Sequence, residues 1–237
     1  MISVCIATYN GGKYIRQQIE SILPQLDATD EIIISDDGST DDTLLQIEAL
    51  SSSLVRVYKH TNRLGYTRNF ERALTYAKGD VIFLCDQDDI WLPNKVEMCM
   101  KELTDSDLVV TNALIQLEDG KILPETFFDK RKSYKSLIGN YIKFSYLGCC
   151  MCFKKDVLQK ALPFPRNYSL CTHDNWIYLV GATFFRAVSI SEPCIIYRRH
   201  SSNASGGGFA KPTSLFFKIS YRIYLIYNIL KRLLRSS

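Results

Sequence analysis

The run Ile2-Ser3-Val4-Cys5-Ile6-Ala7, followed at once by Thr8-Tyr9-Asn10-Gly11-Gly12, decides the fold. A short, nearly continuous apolar stretch marks a strand covered on both faces, as in a parallel sheet. The polar residues and paired glycines after it form a turn. Tyr14, Ile15, Gln18, Ile19, Ile22 and Leu23 then recur at helical spacing until Pro24. The unit repeats three more times. A strand over 31–35, with three consecutive Ile, runs into Asp36-Asp37-Gly38-Ser39-Thr40, and Asp41 or Asp42 can cap the helix carrying Leu44, Leu45, Ile47 and Leu50. A strand over 54–58 leads to a helix over 66–77. A strand over 81–85 stops at Asp86-Gln87-Asp88-Asp89, and Pro93 suits the first turn of a helix near 94–103. Strand and helix alternating with short connections predict an α/β fold, a doubly wound and mostly parallel sheet. Such sheets bind ligands beyond the carboxyl ends of their strands. Thr8-Tyr9-Asn10, Asp36-Asp37 and the Asp86 to Asp89 cluster fall at three of those ends, so their chemistry points at one crevice.

Composition agrees. The chain has 237 residues, 46% hydrophobic and 23% charged, which is globular rather than disordered. A net charge of +4 is too small to imply a nucleic-acid partner. The eight Cys show no paired zinc spacing, and several lie in apolar runs, so reduced structural thiols in a cytoplasm are expected. With a strand starting at Ile2 no secretory leader is expected, and without 18 consecutive uncharged apolar residues no transmembrane helix is.

The second half is less regular. Strands are expected over 108–111, 113–117, 148–153, 183–190 and 194–198, a short helix over 174–180, a Ser/Gly loop over 201–208 and a helix from Ser214 onward. The boundaries predicted are one α/β domain over 1–210 and a basic amphipathic C-terminal helix over 211–237.

Chemistry sharpens the candidates. Asp86, Asp88 and Asp89 crowd a strand end, where carboxylates repel unless a cation lies between them. Carboxylate oxygens with open positions suit Mg²⁺ or Mn²⁺ shared with substrate phosphates; the blander reading is a solvated acidic turn. Asp36 and Asp37 could accept hydrogen bonds from a base or ribose, or simply form a turn. Asp174, in His173-Asp174-Asn175-Trp176, could be a general base toward an acceptor hydroxyl or only a helix cap. Arg198 in Tyr197-Arg198-Arg199-His200 could neutralise a diphosphate, and His200 could ligate the metal, although a lone His is more often structural.

These motifs in this order resemble family 2 glycosyltransferases with the GT-A fold. The likeness runs through residues 3–10, 35–41, 62–70 and 85–91, then Gly148-Cys149, His173 to Trp176 and Tyr197 to His200. Asp-Gln-Asp-Asp-Ile-Trp together with His-Asp-x-Trp looks like the bacterial rhamnosyltransferase-like branch, which helps build O-antigen, capsule or other surface polysaccharide. The resemblance implies that Thr8, Tyr9 and Asp36 hold the pyrimidine and ribose, and that Arg68 lies near the nucleotide. It implies that Asp86 approaches the donor ribose or sugar, that Asp88 and His200 ligate the metal, and that Asp174 is the base. Asn10, Asp37, Gln87, Gly148, Trp176 and Arg198 lie within the matching motifs and are taken with them as substrate contacts. The Gln-x-x-Arg-Trp motif of processive synthases is missing, which argues for transfer of a single sugar rather than polymerisation; the implied roles point to a UDP- or dTDP-sugar donor, dTDP-rhamnose among them, and to one direct displacement that inverts the anomeric configuration. A nucleotidyltransferase, or a non-catalytic nucleotide-sugar-binding subunit, is the alternative.

In the tail, Leu215, Phe216, Ile219, Ile223, Ile226, Tyr227, Leu230 and Leu234 recur at helical steps beside Lys218, Arg222, Lys231, Arg232 and Arg235, with no acidic residue. Such helices lie in membrane interfaces, each cation contributing ~1 kcal/mol near an anionic surface. The resemblance implies a glycan or lipid-linked acceptor at the inner face of the cytoplasmic membrane. The alternative is packing on the chain's own domain or on a second subunit in a homodimer.

Overall fold

The computed structural model describes residues 1–133, 136–201, 203 and 214–234. The first half alternates as expected: β1 (Ile2–Thr8), α1 (Gly12–Ile22), β2 (Glu31–Asp36), α2 (Thr43–Glu48), β3 (Val55–Lys59), α3 (Tyr66–Tyr76), β4 (Val81–Asp86), a two-residue β5 (Ile90–Trp91) and α4 (Lys95–Glu102). There follow β6 (Leu108–Gln116), α5 (Phe127–Arg131), α6 (Leu137–Ile142), β7 (Met151–Lys154), α7 (Lys155–Ala161), α8 (His173–Phe184), β8 (Ala187–Arg198) and α9 (Leu215–Leu234).

The eight strands form one sheet in the order β3-β2-β1-β4-β7-β6-β8-β5. The β3-β2-β1-β4 half is parallel throughout. The chain lays β2 and β3 on one side of β1 and then crosses to put β4 on the other, so a topological switch point lies between β1 and β4. Register aligns the polar ends: Thr8 lies opposite Asp36, and Ala7 opposite Asp86. Apart from half-buried residues at their ends, the side chains of β1, β2 and β4 are buried, which explains their near-continuous apolar sequences.

The other half departs from the expected parallel pattern and boundaries. β7 runs antiparallel to both β4 and β6, while β6 and β8 are parallel. The segment 148–153 is a 3₁₀ turn at Gly148–Cys150 followed by β7. The strands expected over 108–111 and 113–117 are one strand, irregular at Asn112, which pairs with Pro193. Proline is tolerated in a strand at such a bulge. The Asn112 side chain replaces lost ladder bonds, donating to the Ser191 carbonyl at 3.0 Å and accepting from the Phe128 N–H at 3.0 Å. The same irregularity lets β8 continue unbroken, so 187–198 is one strand. Its expected beginning at 183–184 belongs instead to α8, which continues because Gly181 lets the helix lie against Leu108: a Cβ there would come within 2.6 Å of that side chain.

α9 packs against α8 with Leu225 and Ile229 buried. The expected 201–208 loop, except Ser201 and Asn203, and Arg235 of the tail lie outside the described residues. No helix among the described residues is long and apolar enough to cross a membrane.

Candidate active site

The site is assembled from strand ends upward. Asp36, buried at the end of β2, accepts from the Thr8 hydroxyl at 3.0 Å, the Gly38 and Ser39 N–H groups at 3.2 and 2.9 Å, and the Ser39 hydroxyl. The end of β1 and the loop after β2 are thereby tied into one rim. Asn10, at a left-handed φ of 49°, extends that rim by accepting from the Thr40 N–H at 2.8 Å; asparagine is among the few residues that adopt this conformation readily. Gln87 joins the β4 end to it, its amide accepting from the Tyr9 N–H at 2.9 Å and donating to the Tyr9 carbonyl at 3.2 Å. Over the Tyr9 ring lies the Arg63 guanidinium, 3.8 Å from the centroid. Sequence reasoning passed over Arg63 in favour of Arg68, which is exposed at the start of α3 and lies 5.6 Å over the Tyr168 ring.

Two expected substrate contacts have structural partners of their own. Asp37 spends both carboxylate oxygens on the N–H groups of Leu64 and Gly65, at 2.8 to 2.9 Å. It braces the loop before α3. Trp176 is fully buried and donates its indole N–H to the Ala161 carbonyl at 2.8 Å. It is a core residue, because its position on α8 turns inward onto α7.

Asp88 and His200, 112 residues apart, meet with Oδ2 and Nε2 at 3.0 Å. Asn203, unremarked in the sequence, donates to the same Oδ2 at 3.1 Å, and Tyr14 stacks on the His200 ring at 4.5 Å. The pairing of β5 with β8 makes this meeting possible, because it lays the end of β8 along the acidic loop. Arg198 completes the brace. Its guanidinium donates to the carbonyls of Asp88 and Asp89 and its N–H to the Asp89 carboxylate at 3.1 Å. The cation expected to meet a diphosphate therefore shapes the loop that carries the carboxylates.

Asp86, Asp89 and the Cys149 thiol offer ligand atoms within 4.8 Å of one another. Burial, with Asp88 nearby, pushes the Asp89 carboxyl up to about 8, and among the described residues no hydrogen-bond partner is found for its Oδ2. Asp86 is raised by burial first and then by Asp89, Asp88 and Asp174. Oxygen and imidazole donors, crowded carboxylates and an unpartnered buried oxygen fit a hard divalent cation such as Mn²⁺ or Mg²⁺.

Asp174 opens α8. The turn at Gly148 lies directly against it: a Cβ at Gly148 would come within 2.9 Å of His173 Nε2 and 3.1 Å of the Asp174 Cβ. The turn is fixed from behind by Lys95, a fully buried lysine that donates to the Cys149 carbonyl at 3.0 Å. His173 stacks on Phe70 at 4.0 Å, and burial holds its ring below the usual histidine range. Asp174 also raises Tyr66, secondary to burial. A carboxylate thus stands beside the acidic cluster, on a separate element, with a glycine turn at its side.

Residues 3–162 match glycosyl transferase family 2, and the chain belongs to that family. Among curated relatives it is 28% identical, over 94% of this chain and 79% of the other, to dTDP-rhamnosyl transferase RfbG of Shigella flexneri. It is 25% identical, over 88% and 81%, to UDP-Glc:alpha-D-GlcNAc-diphosphoundecaprenol beta-1,3-glucosyltransferase WfgD of Escherichia coli. The fold is similar to that of S. aureus TarS in complex with UDP-GlcNAc, with a TM-score of 0.72 and 20% identity, over 96% of this chain and 66% of that one. It is also similar to the mannosyltransferase PcManGT of Pyrobaculum calidifontis in complex with GDP-Man and Mn²⁺, with a TM-score of 0.62 and 20% identity, over 86% and 58%. The chain is thus an α/β protein of the GT-A architecture, spanning about three-fifths to two-thirds of those solved chains.

Proposed function

We propose that this protein is an inverting glycosyltransferase that moves one sugar from a UDP- or dTDP-sugar to a hydroxyl of a glycan acceptor, lipid-linked, in bacterial surface polysaccharide synthesis. The observation that carries the reading is the convergence of Asp88 and His200 beside Asp86, with Asp174 near enough to raise that carboxyl. The names of RfbG, WfgD and TarS support a nucleotide-sugar donor, and that of PcManGT supports a metal.

In this reading Thr8, Tyr9 and Asp36 frame the nucleoside pocket, with Arg63 on Tyr9. Asp86 approaches the donor ribose or sugar. Asp88 and His200 would hold Mn²⁺ or Mg²⁺, which would supply positive charge against the departing diphosphate. Asp174 takes the proton from the acceptor hydroxyl, and that oxygen attacks the anomeric carbon opposite the nucleotide. One displacement inverts its configuration. The enzyme works peripherally at the inner face of the cytoplasmic membrane. Incubating the protein and Mn²⁺ with a panel of UDP- and dTDP-sugars, and measuring released nucleoside diphosphate, tests the reading. Release from one or two donors supports it; formation of a nucleoside triphosphate and a sugar 1-phosphate when pyrophosphate is added instead favours a nucleotidyltransferase, and binding with no turnover on any acceptor a non-catalytic subunit.

A further inference from the structure

The structure splits α9 into two faces. On the inner one Leu225 and Ile229 are buried, Tyr224 accepts from the Asn167 N–H at 3.0 Å, and Arg232 donates to the carbonyls of Ala161, Leu162 and Pro163. Tyr221 meets Asn175, the residue after Asp174. Opposite, Phe216, Ile219, Ile223, Ile226, Leu230 and Leu234 are 46% to 81% exposed. At 100° per residue these six fall within one arc of about a quarter of a turn. α6 adds Ile138 and Ile142, 73% and 55% exposed. It is clamped to α9 by Arg222, which donates to the Ile142 carbonyl, and by the Tyr141 hydroxyl, which donates to the Arg222 carbonyl at 3.1 Å.

Solvent-facing apolar rows of this extent mark an interaction surface. Charge selects the occupant. Neither 136–143 nor 214–237 contains an acidic residue, and Lys143, Lys218 and Lys231 are exposed on these two segments, Lys231 flanking the apolar row. A second copy packed by a twofold axis would set this basic face against itself with no carboxylate to answer it. An anionic lipid surface answers both the apolar row and the cations.

We infer that α6 and α9 together form one docking face for an anionic lipid bilayer. This deepens the membrane placement proposed above by naming the face and its lipid chemistry. Two of the tail's arginines, Arg222 and Arg232, clamp the helix to its own domain, so apolar insertion rather than the arginines drives docking. The inner face reaches Asn175, beside the candidate base, so the docking element touches the helix that carries it.

The test is flotation of the full chain with vesicles of phosphatidylcholine alone or with about a third phosphatidylglycerol. The wild type should float with the anionic vesicles, and less with neutral ones or in high salt. Ile223→Asp combined with Ile226→Asp should lose at least ~10-fold in binding, as expected when two inserted side chains become charged. Ile142→Asp should weaken it, while melting temperature and UDP or dTDP binding stay as in wild type. The inference is overturned if the wild type stays at the bottom with anionic vesicles, or if the double variant floats equally well. It is also overturned if the wild type is a dimer by light scattering that the double variant converts to monomer. Loss of nucleotide binding in a chain that still floats would sink the transferase reading alone.

Discussion

At the scale of single residues the site separates carboxylates by environment. Asp174 stands on α8, apart from the Asp86–Asp89 cluster, and its proposed task is to take one proton in transfer. Asp174→Asn keeps the size and polarity of the side chain and removes its basicity. Donor affinity should stay near wild type while transfer falls at least ~10²-fold, the low end of what a general base supplies; steady-state kinetics with a competent donor measures both. Near-normal turnover would make Asp174 only an acidic residue in the first turn of its helix. Asp89 gives a prediction of the opposite kind. Its carboxyl, raised to about 8, keeps its proton in the folded protein where the unfolded chain has released it. The folded state therefore binds more protons between the unfolded and folded values, and metal-free stability falls as pH rises through that window, by at most about 1.4 kcal/mol per unit for one group. Asp89→Asn preserves an acceptor for the Arg198 N–H but cannot ionise. Urea midpoints at about pH 5 and pH 8 should differ less in this variant than in wild type. An unchanged difference would place the proton elsewhere.

At the scale of elements, the Gly148 turn and the start of α8 act as one unit. Lys95 fixes the turn from behind, and the missing side chain lets His173 and Asp174 come close in front. Gly148→Ala inserts a methyl that must push the His173 ring or move the helix start. Transfer should fall ~10-fold or more, since small misplacements of a reacting group are costly, with nucleotide diphosphate affinity retained. Equal loss of both in calorimetry and kinetics would mean that the turn serves the fold at large. The elements also show what the chain discloses on reading. β1, β2 and β4 were legible because parallel strands buried on both faces are written as apolar runs, and their polar ends follow directly. Asp88 with His200 was legible only as types of ligand in order. Their meeting depends on β5, two residues long and too short to show any periodicity. Lys95 was illegible because a buried lysine in an amphipathic helix looks like a surface one. Trp176 was taken as a substrate contact because it lies in the His-Asp-x-Trp motif, and only the position of α7 shows it to be core.

At the scale of the whole molecule, the parallel half of the sheet supplies the rim and acidic loop. The mixed half supplies the glycine turn, the α8 carboxylate and the β8 end that brings His200 home. Neither half holds a complete site. The central claim is that this junction binds a nucleoside diphosphate through a cation held by Asp88 and His200. Calorimetric titration of UDP and dTDP, with and without Mn²⁺, into the wild type and Asp88→Ala tests it most directly. The account predicts that Mn²⁺ tightens binding of one nucleotide at least ~10-fold in the wild type, the scale of a single metal-bridged contact. That gain should vanish in the variant while its melting temperature is kept. Binding with the same Mn²⁺ dependence in both proteins, or no binding of either nucleotide to the wild type, would contradict it.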